Sequence, residues 1–263
     1  MGIVNLTPDS FSGDGRPGYA GIEHARQQLE AGADILDVGA ESTRPGAEPT
    51  TLDEEIFRLK PVLEEVVRWG VPISVDTYKP EVMRFAVSAG ASIINDIAAL
   101  SQPGAIAAVV HSDCAICLMH MRGDPRNMQS SPHYEDVVKE VGDFLRDRVV
   151  ACEEAGVARD RLIVDPGFGF GKTLEHNLEL FHGMETLHEI GLPLLVGMSR
   201  KRMLGDLTGQ AVGERKVASV TAAVMAAEQG AQIVRVHDVA ATKDGLAVWS
   251  ALRNNAKRQE ITR

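Results

Sequence analysis

The sequence has few aromatic residues and no surplus of positive charge. Phe, Trp and Tyr make up 5% of the 263 residues, and 37 Asp and Glu residues outnumber 27 Lys and Arg residues, so the formal net charge is −10. Nucleic-acid-binding proteins usually present a basic face and stacking rings. The composition therefore argues against a nucleic-acid partner, and an anionic ligand would need a local cluster of basic residues.

Long apolar runs and matched cysteine pairs are also missing. No apolar run approaches the ~18 residues of a membrane-spanning helix, and the N-terminus lacks the basic and apolar regions of a secretion signal. Cys114 and Cys117 have C-x-x-C spacing, but there is no second pair to complete a zinc site, so we expect both to be buried and reduced. These absences predict a soluble, cytoplasmic protein with no membrane partner.

The segment IVDPGFGFGKT, residues 163–173, ends like a phosphate-binding loop but has the wrong spacing. The nucleotide-binding loop G-x-x-x-x-G-K-[ST] requires glycine at position 166, where this chain has Pro166. The dinucleotide fingerprint G-x-G-x-x-G would need its third glycine one position after Gly171. The spacing argues against both motifs, and it directs attention to the preceding Asp165.

Short runs rich in Ile, Val and Leu recur along the chain, each followed by a stretch with apolar residues at helical spacing. The eight predicted strands are GIVNL (2–6), DILDV (34–38), PISVD (72–76), SIIND (92–96), AICLMH (115–120), RLIVD (161–165), PLLVG (193–197) and QIVRVH (232–237). This α/β pattern predicts a single-domain (β/α)₈ TIM barrel over residues 1–263, with a frayed tail over about 254–263. A doubly wound open sheet is the alternative, but it usually has about five to seven strands and a glycine fingerprint after the first.

Nearly every predicted strand ends in a polar or charged residue, and the active site of a (β/α)₈ barrel lies at those ends. The residues are Asn5, Asp37, Asp76, Asn95 with Asp96, His120, Asp165, the segment 199–201, and Arg235 with His237. Taken singly, Asp37 and Asp96 are better explained as satisfied core or capping groups. A whole ring is harder to explain without a ligand, because each unpartnered buried charge costs about 2 to 5 kcal/mol.

The ring has two chemical halves. One offers carboxylates and a carboxamide that suit a flat heterocycle with adjacent N–H donors: Asp76, Asn95 and Asp165. The other is a basic cluster of Arg235, His237 and Arg44, which lies beside Asn5 because strands 8, 1 and 2 are neighbours in a closed barrel. We expect the second half to bind an anion.

Eight segments, in order along essentially the whole chain, together resemble the dihydropteroate synthase family of folate synthesis. They are NLTPDSFS (5–12), GAESTRPGA (39–47), PISVDTYKPEV (72–82), IINDI (93–97), LMHMRGDP (118–125), DPGFGFGKT (165–173), GMSRKRML (197–204) and VRVHDV (234–239). Any one of these strings is weak evidence, but eight in register are strong.

The resemblance implies condensation of 6-hydroxymethyl-7,8-dihydropterin diphosphate with 4-aminobenzoate, through SN1-like loss of pyrophosphate with Mg²⁺ as cofactor. It implies catalytic roles for Arg44, Lys201, Arg235 and His237. The implied pterin contacts are Asp76, Asn95, Asp165 and Lys201. The implied aminobenzoate contacts are Thr43, Pro45, Phe170 and Ser199, with the segment around Phe170 as a flexible wall. The implied diphosphate contacts are Asn5, Thr43, Arg44, Arg235 and His237, with Asn5 also as the metal contact. A homodimer is a further expectation from the resemblance.

The first loop departs from the family pattern. The family usually reads Asp-Ser-Phe-Ser-Asp-Gly-Gly. In this chain Gly13 follows Ser12, and the second acid comes one position later, at Asp14. The departure puts in doubt any role of Asp14 over the reaction centre.

Two other functions remain open on the sequence. A methyltetrahydrofolate:corrinoid methyltransferase-type barrel could share the pterin half, but it has no diphosphate to hold, and Arg44, Arg235 and His237 therefore speak against it. A non-catalytic pterin-binding paralogue is the second, favoured by the altered loop and disfavoured by the complete anion half.

Overall fold

The computed structural model describes residues 1–7, 18–42 and 46–260, with side chains described as far as residue 253. All eight predicted strands are present: β1 Gly2–Asn5, β2 Leu36–Gly39, β3 Ile73–Asp76, β4 Ile93–Asp96, β5 Ala115–Met119, β6 Leu162–Asp165, β7 Leu195–Val196 and β8 Ile233–Val234. The last two are shorter than predicted, because they pair with each other over two residues and reach β6 and β1 only through isolated bridges.

Helices alternate with the strands. They are α1 Tyr19–Glu30, α2 Leu52–Val66, α3 Pro80–Ser88, α4 Ala105–Val109, α5 Val137–Glu154, α6 Leu174–His182, α7 Met184–Leu187, α8 Arg202–Thr208, α9 Lys216–Glu228 and α10 Val239–Glu260. Local signals set several of their starts: the Thr51 side chain accepts a hydrogen bond from the Glu54 amide at the start of α2, and Pro80 occupies the first turn of α3. Helix α10 continues into the segment predicted as a frayed tail, and that expectation stays a prediction.

The strands close into a barrel. Strands β1 to β6 form a parallel sheet in sequence order, and β7 pairs with β8. A bridge between Gly2 and Val236 joins β8 to β1, and a bridge between Val164 and Leu194 joins β6 to β7. The predicted (β/α)₈ barrel is therefore confirmed, and the open-sheet alternative is wrong.

The inside of the barrel is filled by apolar side chains in what we call the lower layer: Met1, Ile93, Cys117, Ile163 and Leu195. A larger apolar cluster lies between the strands and the surrounding helices, because alternate strand residues point to opposite faces of the sheet. All three cysteines are buried and unpaired, as predicted for Cys114 and Cys117. Within the described ranges, no helix is both long enough and apolar enough to cross a membrane.

Candidate active site

Above the lower layer, the carboxyl ends of the strands carry five polar side chains that we call the upper layer: Asp37, Asp76, Asn95, Asp165 and Arg235. Strand register places Asp76 beside Asn95 and Asp165 beside Met119. Parallel strands end at the same rim of a closed barrel, so residues far apart in sequence converge there.

Arg235 lies between two carboxylates of the upper layer. Its Nε donates to Oδ2 of Asp37 at 2.6 Å, and its Nη2 donates to Oδ2 of Asp76 at 2.8 Å. The Asn95 amide donates to the other Asp37 oxygen at 3.3 Å. The predicted pterin and anion halves are thus joined through the guanidinium of Arg235, whose side chain is 20% exposed.

The electrostatic environment favours a neutral Asp76. Burial raises the pKa of Asp76 to about 7, and the Arg235 charge opposes this while the Asp37 charge reinforces it. A carboxyl group out of water is costly to ionise, and the single guanidinium is shared with the fully buried Asp37. One cation therefore serves two acids.

Asp165 and Lys201 are close enough for their charges to influence each other. Burial raises the pKa of Asp165, whereas the Lys201 charge and a 2.7 Å hydrogen bond from the Gly167 amide oppose the rise. Burial lowers the pKa of Lys201 to about 8, against the charge of Asp165. The Lys201 ammonium also donates to the Phe168 carbonyl and lies 4.4 Å from the centroid of the Phe170 ring. Lys201 therefore stands between the predicted pterin and aminobenzoate contacts.

Ser199 and His237 are in direct contact. The Ser199 hydroxyl lies 3.0 Å from Nδ1 of His237 and accepts the His237 backbone N–H at 3.2 Å. Between Ser199 and Lys201, Arg200 adopts a left-handed backbone with φ of 57°. Two hydrogen bonds from its guanidinium to the Asp238 carboxylate, at 3.0 and 2.9 Å, hold this conformation.

The segment Gly167–Gly171, which we call the glycine turn, is held by side chains from several elements. All five of its carbonyl oxygens accept a side-chain hydrogen bond: Gly167 and Phe170 from Lys172, Phe168 from Lys201, Gly169 from Gln129, and Gly171 from Tyr134. Side-chain hydrogen bonds thus reach every residue of the glycine turn. The flexibility predicted for the wall around Phe170 stays a prediction.

Close approach to another loop explains two of the glycines. Gly167 has φ of 67°, and a Cβ there would lie 1.9 Å from the carbonyl oxygen of His120. Gly171 has φ of 62°, and a Cβ there would lie 2.3 Å from the carbonyl oxygen of Arg122. Only glycine fits a left-handed conformation at such distances. These two glycines therefore serve loop packing.

Sequence reasoning missed two features of the site. Lys172 is 3% exposed and donates hydrogen bonds to the glycine turn. The sequence does not predict this role, because Gly-Lys-Thr suggests only a phosphate-binding loop, which the spacing excludes. Asp37 is buried and satisfied, as expected for a core group, but the sequence does not identify Arg235 as its partner. Both contacts depend on residues distant in sequence.

A second charged network brackets the loop between β2 and α2. The Lys79 ammonium donates to the Glu41 carboxylate and, at 2.6 Å, to that of Glu55. Glu41 also accepts from the Tyr78 hydroxyl and the Thr50 amide, each at 3.0 Å. The predicted contacts Thr43, Arg44 and Pro45 belong to this loop but lie outside the described residues. Asp14, elsewhere in the chain, also lies outside the described residues.

Comparison with known proteins agrees with this geometry. Residues 1–237 match the family model for pterin binding enzymes. A dihydropteroate synthase of Neisseria meningitidis serogroup C is 52% identical over 262 residues, which is 97% of this chain and 93% of the relative.

Two solved structures extend the likeness to three dimensions. A Xanthomonas albilineans dihydropteroate synthase with 4-aminobenzoic acid has a TM-score of 0.91 and 50% identity, covering 96% of this chain and 92% of that one. A Burkholderia cenocepacia dihydropteroate synthase complexed with 7,8-dihydropteroate has a TM-score of 0.89 and 48% identity, covering 98% and 92%. This sets aside the methyltransferase-type and non-catalytic alternatives. The chain belongs to the pterin-binding enzyme family and, within it, to the dihydropteroate synthases, the transferases of folate biosynthesis.

Proposed function

We propose that the upper layer and the loops around it condense 6-hydroxymethyl-7,8-dihydropterin diphosphate with 4-aminobenzoate, through an SN1-like loss of pyrophosphate. The observation that carries the mechanism is the hydrogen-bonded cluster of Arg235, Asp37, Asp76 and Asn95 at one rim of the barrel, where Asp165 also ends its strand. These are the groups that a pterin edge and its carbonyl require, collected at one rim of the barrel.

Asp165 binds the pterin edge. That edge presents a 2-amino group beside a ring N3–H, and a carboxylate accepts two parallel donors in bidentate geometry. The Gly167 amide fixes one oxygen of Asp165 at 2.7 Å and so orients the group. Lys201 donates toward the pterin carbonyl side, and Asn95 and Asp76 take other ring nitrogens. An analogue that lacks this edge would leave several buried polar groups unpaired.

Arg235 and His237 stabilise the departing diphosphate. Loss of pyrophosphate leaves a methylene cation that the electron-rich dihydropterin delocalises, so the leaving anion is the part that needs help. The Nε and Nη2 atoms of Arg235 are held by Asp37 and Asp76, which fixes the plane of the guanidinium before substrate arrives. Preorganised donors of this kind are worth about 3 to 4 kcal/mol each. Arg44 and Thr43 belong to the same proposal from the family resemblance.

The donor set at the diphosphate suits Mg²⁺ carried by the substrate. Among the described residues there is no group of three His, Cys, Asp or Glu side chains that could hold a metal. Mg²⁺ in phosphate-transfer sites commonly takes one or two protein oxygens together with phosphate oxygens and water. The Asn5 amide oxygen, at the end of β1, is the protein contact that we propose, and the ion would neutralise charge on the departing anion.

Phe170 and Ser199 form the described part of the 4-aminobenzoate pocket, which Thr43 and Pro45 complete in the proposal. The neutral aniline nitrogen is already nucleophilic, so no strong general base is needed. The glycine turn holds Phe170 where its ring also contacts Lys201. The solved Xanthomonas albilineans relative with 4-aminobenzoic acid supports this substrate.

Helices α9 and α10 offer a surface for homodimer formation. Four of their apolar side chains are half or more exposed: Val217 78%, Met225 50%, Val248 61% and Leu252 68%. Such a concentration of exposed apolar residues on adjacent helices is typical of an interface. Sedimentation should show a dimer, and Val217→Glu with Leu252→Glu should convert it to a monomer.

The direct test of the proposed function measures pyrophosphate release from the dihydropterin diphosphate, with and without 4-aminobenzoate and Mg²⁺. Release that requires both, with a product carrying the aminobenzoate, supports the proposal. Release without aminobenzoate at the same rate would contradict the proposed coupling of the two substrates.

A further inference from the structure

Lys172 is a buried ammonium side chain that the proposed mechanism does not use. Its Nζ lies 2.9 Å from the Gly167 carbonyl oxygen, 3.1 Å from that of Phe170 and 2.9 Å from Nδ1 of His120. Burial holds the pKa of Lys172 well below its usual value and lowers that of His120 to about 2, so His120 is neutral at physiological pH. A lysine this deep has a structural or functional reason to be there.

The two carbonyls bound by Lys172 lie at either side of the residues that reach the substrates. Between them, the Phe168 carbonyl accepts from Lys201, and the Phe170 ring lies against the Lys201 ammonium. The Phe170 amide also donates to the Gly167 carbonyl at 3.1 Å, so the amine reinforces a turn that the backbone itself closes. Removing the amine would leave the Phe170 carbonyl and the imidazole nitrogen without this buried partner and would leave the Gly167 carbonyl with the backbone donor alone.

The Lys172 charge opposes the rise in the pKa of Asp165, but other contacts set the position of Asp165. It is the last residue of β6, where its backbone is aligned with Met119 of β5 and its carbonyl accepts the His120 amide at 2.9 Å. Its carboxylate is fixed by the Gly167 amide, which precedes the carbonyl that Lys172 holds. The effect of Lys172 should thus fall on Phe170 and much less on pterin recognition.

We propose that Lys172 is a positioning residue for 4-aminobenzoate, acting by fixing the Gly167–Phe170 turn so that the Phe170 ring stays against Lys201. The inference rests on the proposed role of Phe170 as a wall of the aminobenzoate pocket. Lys172 itself does not contact the substrates.

The test is the variant Lys172→Met, which keeps the length of the side chain and removes the amine. We expect the KM for 4-aminobenzoate to rise about tenfold, the size of effect expected when buried acceptors lose their hydrogen-bond donor, with less than about a twofold change in the Kd of free pterin. Lys139→Met is the matched control, because the Lys139 side chain is 71% exposed, and it should change neither constant.

A double-mutant cycle with Phe170→Ala identifies the path of the effect. If Lys172 acts through Phe170, the double variant has the same KM for aminobenzoate as Phe170→Ala alone. Additive increases overturn the proposal, as does an equal loss of pterin affinity in Lys172→Met, which would indicate a general disturbance of the site. An unchanged aminobenzoate KM in Lys172→Met also overturns it.

Two further measurements separate the possible failures. If Phe170→Ala leaves the aminobenzoate KM unchanged while Lys172→Met raises it, the proposed role of Phe170 and this inference fail, but the synthase activity stands. If Lys172→Met does not fold, Tyr134→Phe removes only the hydrogen bond to the Gly171 carbonyl and tests the same turn. It should raise the aminobenzoate KM by about threefold with pterin affinity unchanged, and an unchanged KM would count against positioning by the turn.

Discussion

The lower layer of the barrel interior is apolar and the upper layer is charged, although both are built on the same strands. Ile93 precedes Asn95 by two residues, and Ile163 precedes Asp165 by the same interval. One layer stabilises the barrel because burial removes apolar area from water, at roughly 25 cal/mol per Å². The other places acids where water is scarce, which opposes folding unless a cation or ligand compensates. Residues that stabilise the barrel and residues proposed to bind the substrate therefore lie only about 7 Å apart along a strand.

Removal of Arg235 should have the largest effect on both stability and activity. Arg235→Met leaves Asp37 and Asp76 without their shared cation and removes the proposed contact of the departing anion. We expect a loss of about 3 to 5 kcal/mol in unfolding free energy and at least roughly a thousandfold loss in kcat/KM. Urea unfolding and steady-state rates check both, and Arg235→Lys, which keeps the charge, should recover much of the stability.

The variant Asp165→Asn tests whether an upper-layer acid serves function at the expense of stability. An amide cannot accept two parallel donors, so kcat/KM for the dihydropterin diphosphate should fall about a hundredfold. The midpoint of thermal unfolding should stay the same or rise, because the raised pKa of Asp165 means that its ionised form opposes folding. A large fall in that midpoint would mean that Asp165 is structural.

Asp76 should make the stability of the protein depend on pH. Its pKa is raised from 3.8 to about 7 in the folded protein. Because the pKa of Asp76 is raised on folding, the favourable contribution of this group to the unfolding free energy is fully present below about pH 4. It is lost as the pH rises toward about 7. The unfolding free energy of Asp76→Asn should therefore gain on that of the wild type over this range, by at most roughly 1.4 kcal/mol per pH unit. A constant difference between the two proteins would show that Asp76 ionises normally.

The smallest effect is expected in the lower layer. Ile163→Val removes one methylene beneath Asp165 and should reduce the unfolding free energy by about 0.5 to 1.5 kcal/mol. Both KM values and kcat should remain within about twofold of the wild type. Altered substrate constants would show that the two layers are coupled.

The sequence predicted the barrel well because its strands are continuous apolar runs that end in polar residues. All eight strands lie where the runs of Ile, Val and Leu placed them, and Asp76, Asn95 and Asp165 stand at the same rim. Periodicity is a local property, so a single sequence contains it. The shortening of β7 and β8 depends on how the barrel closes, which is not local.

Contacts between distant residues could not be predicted in this way. Arg235 is separated from Asp37 by 198 positions and from Asp76 by 159, and nothing in the sequence pairs them. The amine of Lys172 finds His120 across 52 positions, and its low exposure contradicts the usual place of lysine at the surface. These are the places where composition and local pattern contain no information about partners.

The glycine turn also constrains how this protein can be engineered. Gly167 and Gly171 lie so close to the carbonyls of His120 and Arg122 that the loops after β5 and β6 share one surface with no gap between them. Neither loop can accept a bulkier residue or an insertion at these points unless the other changes as well. An attempt to alter substrate choice by loop exchange would therefore have to exchange the two loops together.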